Sequence, residues 1–98
     1  MFFVYVIQSC KDGRLYKGIT RDIKLRISEH NLGRCKSTKA YGPWRLVYFE
    51  KVENRVEARK RELYLKSGSG REFLHQLLLS DQFSNQLFDL IDQEMKQK

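Results

Sequence analysis

Cysteine is scarce in this chain. Cys10 and Cys35 are too few for a disulfide framework, and their spacing matches no zinc pattern. Two reduced thiols are the expectation. No apolar run approaches the ~20 residues that a membrane helix needs, so no membrane partner is expected. The apolar opening Phe2-Phe3-Val4-Tyr5-Val6-Ile7 is short, has no basic leader and is followed by no small-residue cleavage site. A signal peptide is therefore not expected, and a cytoplasmic location is. There is no internal repeat and no low-complexity stretch. Also missing are a zinc motif, a Walker loop, a dinucleotide fingerprint and a nucleophile elbow. The only histidines are His30 and His75, and no local pattern sets either in a Ser-His-Asp arrangement.

What is present is a short, basic, globular chain. Its 98 residues suffice for one hydrophobic core and not for two. A composition of 41% hydrophobic and 32% charged residues argues against disorder. The net charge of +7 is unevenly spread. Residues 1–71 hold 17 Lys and Arg against 7 Asp and Glu, whereas residues 72–98 hold 2 against 5. A basic body favours a polyanion, and nucleic acid is the usual one. Solubility alone explains the charge equally well, and the acidic tail has no part in binding a polyanion.

Residues 2–9 are aromatic and β-branched without alternation, which predicts a strand buried on both faces. Asp12-Gly13 signals a hairpin turn, and residues 14–20 read as the returning strand, with Leu15 and Lys17 on one side and Tyr16 and Gly18 on the other. A helix is expected from Asp22, a suitable N-cap, with Ile23, Leu25, Ile27 and Leu32 facing inward. Asn31-Leu32-Gly33 stops it. Residues 33–43 read as a basic loop and residues 44–51 as a third strand. Asn54 caps a second helix reaching about Lys66, with Glu57 in capping-box position. Ser67-Gly68-Ser69-Gly70 reads as a break, followed by a short helix over 71–79. A last helix carries Phe83, Leu87, Leu90 or Ile91, and Met95 on one face. The expected fold class is α+β, a small three-stranded antiparallel sheet flanked by helices. Residues 1–79 form the domain. Residues 80–98 form an amphipathic helix that packs on the domain or on a partner, such as the second copy of a homodimer. Packing on its own domain is favoured, because so small a domain needs all the apolar surface it can bury.

The chemistry-bearing residues are few. Tyr5 and Tyr16 lie on the hairpin, and Arg26 and His30, four apart, share a helix face. The second helix offers Glu57 and Glu62. Each has an ordinary reading alone: Tyr5 as core, Tyr16 as a cross-strand pair, Arg26 as a solvated residue, His30 as a cation at a helix C-terminus. Glu62 is also an i,i+4 partner for Lys66, worth only ~0.2–0.5 kcal/mol. As an ordered set, however, they resemble the GIY-YIG nuclease superfamily and its small stand-alone bacterial branch. Phe3-Val4-Tyr5 stands at the first motif and keeps its tyrosine. Tyr16-Lys17-Gly18 stands at the second and keeps tyrosine and glycine. The tyrosines are 11 apart, Arg26 follows Tyr16 by 10, and His30 comes one turn later. Glu62, in Arg61-Glu62-Leu63-Tyr64-Leu65-Lys66, looks like the family's metal-binding glutamate. Leu15 to Thr20, Glu29-His30-Asn31, Lys36-Ser37-Thr38-Lys39 and Lys66-Ser67-Gly68 are closest to the stand-alone branch. The resemblance covers residues 2 to about 78. The asparagine of several branches has no clear counterpart, since Asn85 lies too far into the tail.

The resemblance implies a metal-dependent endonuclease that hydrolyses phosphodiesters in DNA, in repair or recombination. A cleaving site needs cationic stabilisation of the transition state. Arg26 offers paired donors to phosphate oxygens, and Glu62 anchors Mg²⁺ or Mn²⁺ with water in the remaining positions. Tyr16 or Tyr5 is the implied general base or water-orienter, with His30 positioning a tyrosine or assisting the proton path. Gly18 is expected to let substrate backbone approach the second strand. Outside the site, Arg34, Lys36, Lys39 and Arg45, with Tyr41 and Trp44, are candidates for tracking a DNA backbone and stacking a base, although Trp44 reads equally well as core. Arg55, Arg59, Lys60 and Arg61 read equally as a phosphate stripe or a solvated helix face. The rival is a non-catalytic nucleic-acid-binding module on the same fold.

Overall fold

The structure is a computed structural model that describes residues 1–79. The helix expected over 80–98, and any homodimer contact through it, lies outside the described residues. Among the described residues three strands and three α-helices follow in the order β1 (Phe2–Ser9), β2 (Leu15–Thr20), α1 (Ile23–Asn31), β3 (Trp44–Val52), α2 (Arg55–Lys66) and α3 (Gly68–Leu78), with a 3₁₀ turn at Lys39–Tyr41 before β3. The sheet order is β2-β1-β3 and both pairings are antiparallel. This is the α+β class that the patterning predicts. Among the described residues no helix is long and apolar enough to cross a membrane.

The central position of β1 explains its unbroken apolar run. Phe3, Tyr5 and Ile7 join Ile23, Trp44 and Leu46 in a core on one sheet face. Phe2, Val4 and Val6 join Val47, Ala58, Leu65 and Leu74 on the other. Helix α1 therefore covers the first face, and α2 with α3 the second. Strand β2 is an edge strand and its residues divide between the layers. Tyr16 packs against the first core, Leu15 and Ile19 against the second. The β2 edge is thus where residues from both layers can meet.

Local signals set the element ends. Gly13 takes a positive φ of 81° in the hairpin turn and Gly33 one of 75° just past α1, conformations that glycine adopts without steric cost. Asp22 accepts from the Leu25 amide at 3.1 Å, and Asn54 accepts from the Glu57 amide at 2.9 Å, each satisfying a donor that the helix start leaves free.

Two expectations need correction. The inward stripe of α1 is Ile23, Ile27 and His30, spaced i, i+4, i+7. Leu25 and Leu32 fall on the opposite side and are 58% and 65% exposed. The break after Lys66 is a single residue, Ser67, and the next helix starts three residues earlier than expected. Helix α3 begins at Gly68, capped by Ser67, whose hydroxyl accepts from the Gly70 amide at 3.2 Å. A Cβ on Gly70 would collide with the Tyr64 carbonyl and Leu65 Cα of α2. The glycine is there for close helix approach, and the turn runs straight into α3.

Candidate active site

The register of the hairpin creates the first contact of the site. Tyr5 faces Gly18 across the β1–β2 ladder, and its ring lies over the glycine. A Cβ on Gly18 would stand 2.5 Å from the Tyr5 hydroxyl oxygen and 2.6 Å from Cζ. The missing side chain therefore makes room for the Tyr5 ring. Gly18→Ala is expected to displace the ring and lower stability by roughly 1–3 kcal/mol, as overpacking does. That corresponds to a fall in Tm of roughly 4–8 °C per kcal/mol for a domain of this size. In a Tyr5→Leu background the added penalty should largely vanish, a coupling that a double-mutant cycle followed by thermal melting reads directly.

The Tyr5 phenol has a defined set of partners. Its oxygen lies 2.8 Å from His30 Nε2, and His30 Nδ1 lies 2.7 Å from Thr38 Oγ1. The Thr38 hydroxyl donates to the Cys35 carbonyl at 3.3 Å. Its single proton is thereby used, so it accepts from His30 Nδ1–H. The other ring nitrogen is then bare and accepts the Tyr5 proton; the tautomer follows from this pattern of partners. Burial, reinforced by the Arg26 cation, holds His30 below its ordinary pKa. His30 is thus a buried neutral acceptor rather than a helix-end cation. Burial pushes Tyr5 up to about 12, against the opposing pull of a hydrogen bond from Arg26. The same contact with Tyr5 is what most raises the Arg26 guanidinium. Tyr5 at rest is a neutral phenol that donates to His30 and accepts from Arg26.

Trp44 fastens the loop that supplies Thr38. Its indole N–H donates to the Thr38 carbonyl at 3.0 Å. Asn31 accepts from the Trp44 amide at 2.6 Å and donates to its carbonyl at 3.1 Å. Trp44 is buried, so it is core and not a base-stacking platform. The Tyr16 ring stands edge-on to His30, with centroids 5.2 Å apart, and to Trp44 at 6.4 Å. Thr38 and the Asn31–Trp44 pair carry no role in the sequence reading. Their tracts are visible there, but nothing in the spacing tells which side chain reaches His30 or closes the loop.

A cavity of about 460 Å³ opens at the β2 edge, lined by Tyr5, Tyr16, Gly18, Ile19, Arg26, Arg55, Arg59 and Glu62. Tyr5, Tyr16 and Arg26 come from the α1 layer; Arg55, Arg59 and Glu62 come from α2. Residues from opposite faces of the sheet thus meet around its edge. Arg26 keeps a second contact, Nη1 to Glu29 Oε1 at 3.3 Å. Glu62 is nearly buried and held by cations on both oxygens, Arg59 Nη1 at 2.5 Å and Lys66 Nζ at 3.6 Å. Among the lining residues three are arginines and one is a carboxylate, an arrangement suited to a phosphate chain.

The basic residues of α2 part company here. Arg55 and Arg59 line the cavity. Arg61 grips Glu50 with two bonds at 2.7 and 2.9 Å, and Lys60 pairs with Glu57 at 3.4 Å. None of Arg34, Lys36, Lys39 and Arg45 lines the cavity. All four are exposed, and Arg45, on the far edge strand β3, donates to Gln8 Oε1 at 2.9 Å. Arg14 sits over the Tyr41 ring at 3.6 Å.

The donor set limits what metal the site suits. Among the described residues there is no group of three or more His, Cys, Asp and Glu that could form a cage. A lone, nearly buried carboxylate on an open cavity fits a hard cation that keeps most of its water, as Mg²⁺ does. It does not fit a soft metal wanting thiolate or imidazole. Glu62 is the residue that would hold it.

A family model described as the GIY-YIG catalytic domain matches residues 1–74. A UPF0213 protein of Clostridium perfringens is 48% identical over 67 residues, covering 67% of this chain and 71% of that protein. A UPF0213 protein of Staphylococcus aureus is 44% identical over 66 residues, covering 66% of this chain and 79% of that protein. The solution NMR structure of a UPF0213 protein from Bacillus halodurans shares 37% identity, covers 79% of this chain and 85% of that chain, and superposes with a TM-score of 0.47.

Proposed function

This chain belongs to the GIY-YIG catalytic domain family, and from that membership together with the β2-edge cavity we propose that it is a divalent-metal-dependent endonuclease hydrolysing phosphodiester bonds in DNA. The observation that carries the reading is the meeting of two phenols, Arg26 and the single carboxylate Glu62 around one cavity. Each of these groups has an ordinary structural use alone, but together they offer what cleavage of a phosphodiester calls for: a cation on the phosphate, an anchor for a metal and polar groups to hold and deprotonate water. DNA repair or recombination is the setting such an activity fits.

In this proposal Arg26 donates to non-bridging oxygens of the scissile phosphate and gains strength as charge gathers there in the transition state. A hard cation on Glu62 would supply Lewis-acid stabilisation to the same oxygens. Water attacks phosphorus and the bond to the leaving oxygen breaks. The water proton passes to the Tyr5 oxygen as the Tyr5 proton moves along its existing hydrogen bond to His30 Nε2. Phenolate therefore need not exist at rest, which the raised Tyr5 pKa would forbid at neutral pH. The leaving oxygen takes its proton from solvent, and His30 returns its own to solvent afterwards. Tyr16, edge-on to His30, orients the attacking water or a phosphate oxygen. Arg55 and Arg59 take flanking phosphates, and Arg34, Lys36, Lys39 and Arg45 serve at most as outlying, salt-sensitive DNA contacts.

The test is supercoiled plasmid with Mg²⁺ or Mn²⁺. Nicking that depends on the metal, stops with chelator and is lost in Arg26→Ala and Glu62→Ala is the expected result. Nicking that survives both substitutions contradicts the proposal. Binding without nicking by the wild type favours the non-catalytic alternative.

The pH dependence follows from His30. Its pKa is depressed on folding, so between that value and the ordinary ~6.5 the unfolded chain binds the proton that the native state refuses. The stabilisation is complete above about pH 6.5 and is lost as the pH falls through the depressed value. Protonation also removes the acceptor for Tyr5. Single-turnover cleavage should be level above the depressed value and fall as the pH drops through it, and in His30→Gln that limb should disappear. An acid limb that persists unchanged in His30→Gln would count against the proton path.

A further inference from the structure

Arg59 and Glu62 are three residues apart on α2 and both line the cavity. The guanidinium holds Oε1 of the carboxylate at 2.5 Å, while its own side chain is 61% exposed against 10% for Glu62. Lys66 sits farther from the other oxygen, at 3.6 Å. The geometry points to Arg59 as the residue that couples metal binding to phosphate binding: it covers Glu62 until a divalent cation takes that carboxylate, and then turns to a phosphate of the substrate strand. This rests on the reading of Glu62 as the metal-holding residue.

The physical reason is exclusion. A hard cation approaches a carboxylate oxygen to ~2.0–2.1 Å for Mg²⁺, in the space that the Arg59 nitrogen fills. A guanidinium and a dication also repel each other at that range. Of the two cations on Glu62, Arg59 has the shorter contact and the more exposed arm. Once released it meets no other carboxylate among the residues lining the cavity. A phosphate oxygen entering the same cavity is the anion left to it, and Arg suits such an oxygen through its paired donors. Binding linkage then requires reciprocity. A phosphodiester that occupies Arg59 strengthens the metal, and the metal strengthens the phosphodiester by the same factor.

Free Mn²⁺ measured by electron paramagnetic resonance, on the full chain, tests this without reference to cleavage. The phosphate probe is dimethyl phosphate, a phosphodiester monoanion that resists hydrolysis. Four proteins are titrated, each with and without the probe: wild type, Arg59→Gln, Lys66→Gln and Glu62→Gln. The wild type should bind Mn²⁺ roughly tenfold more tightly with the probe present, within the usual span of coupling between sites. Arg59→Gln should bind roughly tenfold more tightly than wild type without the probe, and should gain less than twofold from it. Lys66→Gln loses the same charge from the same carboxylate but should keep the probe effect. If Arg59→Gln and Lys66→Gln behave alike, Arg59 has only a general charge effect and the coupling is refuted while Glu62 remains the metal residue. If the wild type binds Mn²⁺ no better than Glu62→Gln does, the metal reading fails and the coupling fails with it.

Discussion

Glu62→Gln is expected to lower plasmid nicking by about 10³-fold or more, the scale of losing a principal electrostatic element of a phosphoryl site. The substitution is nearly isosteric and removes only the charge. Gln keeps an oxygen for Arg59, so the α2 surface is not left with a cavity. The partners of Glu62 are about half exposed or more, 61% for Arg59 and 48% for Lys66. Pairs of that kind contribute little to stability, so the Tm should move by only a few degrees. DNA binding without metal should hold or tighten slightly, because a negative charge leaves a cavity that otherwise holds three arginines. Loss of cleavage with folding and binding retained separates a metal-holding role from a structural one. A rate within tenfold of wild type would remove Glu62 from the chemistry.

Arg26→Ala should cost about 10²–10³-fold in cleavage, and Arg26→Lys should restore only a small part of it. A lysine provides a point charge where the proposal needs paired donors. Arg26 has a second effect, because its guanidinium also donates to the Tyr5 oxygen. Without it Tyr5 loses the interaction that opposes the upward pull of burial. Tyr5→Phe should therefore cost less in the Arg26→Ala background than in the wild type, since residues acting as a unit are not additive. Single-turnover rates of the two single variants and the double variant settle this, and strict additivity would mean that Arg26 and Tyr5 act independently.

Much of this site was legible before any coordinates. Tyr5, Tyr16, Arg26 and Glu62 stand out through their resemblance to the GIY-YIG pattern, and local rules place them on a hairpin and two helices. The sheet and the caps at Asp22 and Asn54 follow from side-chain chemistry within a few residues. What was hidden depends on distance in sequence. That the space over Gly18 holds the Tyr5 ring follows from strand register, which the sequence does not print. For His30 the sequence leaves a helix-end cation and a partner of tyrosine side by side, because Thr38, eight residues on, is what fixes its Nδ1 and leaves Nε2 to Tyr5. Leu25 and Leu32 passed for core because a nine-residue helix has room for more than one apolar line. Only the packing of α2 on the sheet decides that Arg55 and Arg59 face the cavity while Arg61 turns to Glu50.

Anomalous diffraction from crystals soaked in manganese, with a short DNA strand bound, is the most direct measurement. The expected peak lies ~2–2.5 Å from a Glu62 carboxylate oxygen, on the side facing Tyr5, Tyr16 and Arg26, with a phosphate oxygen on the same ion. Manganese bound only at other carboxylates, or a phosphate that stays out of the β2-edge cavity while Arg59 remains on Glu62, would contradict it.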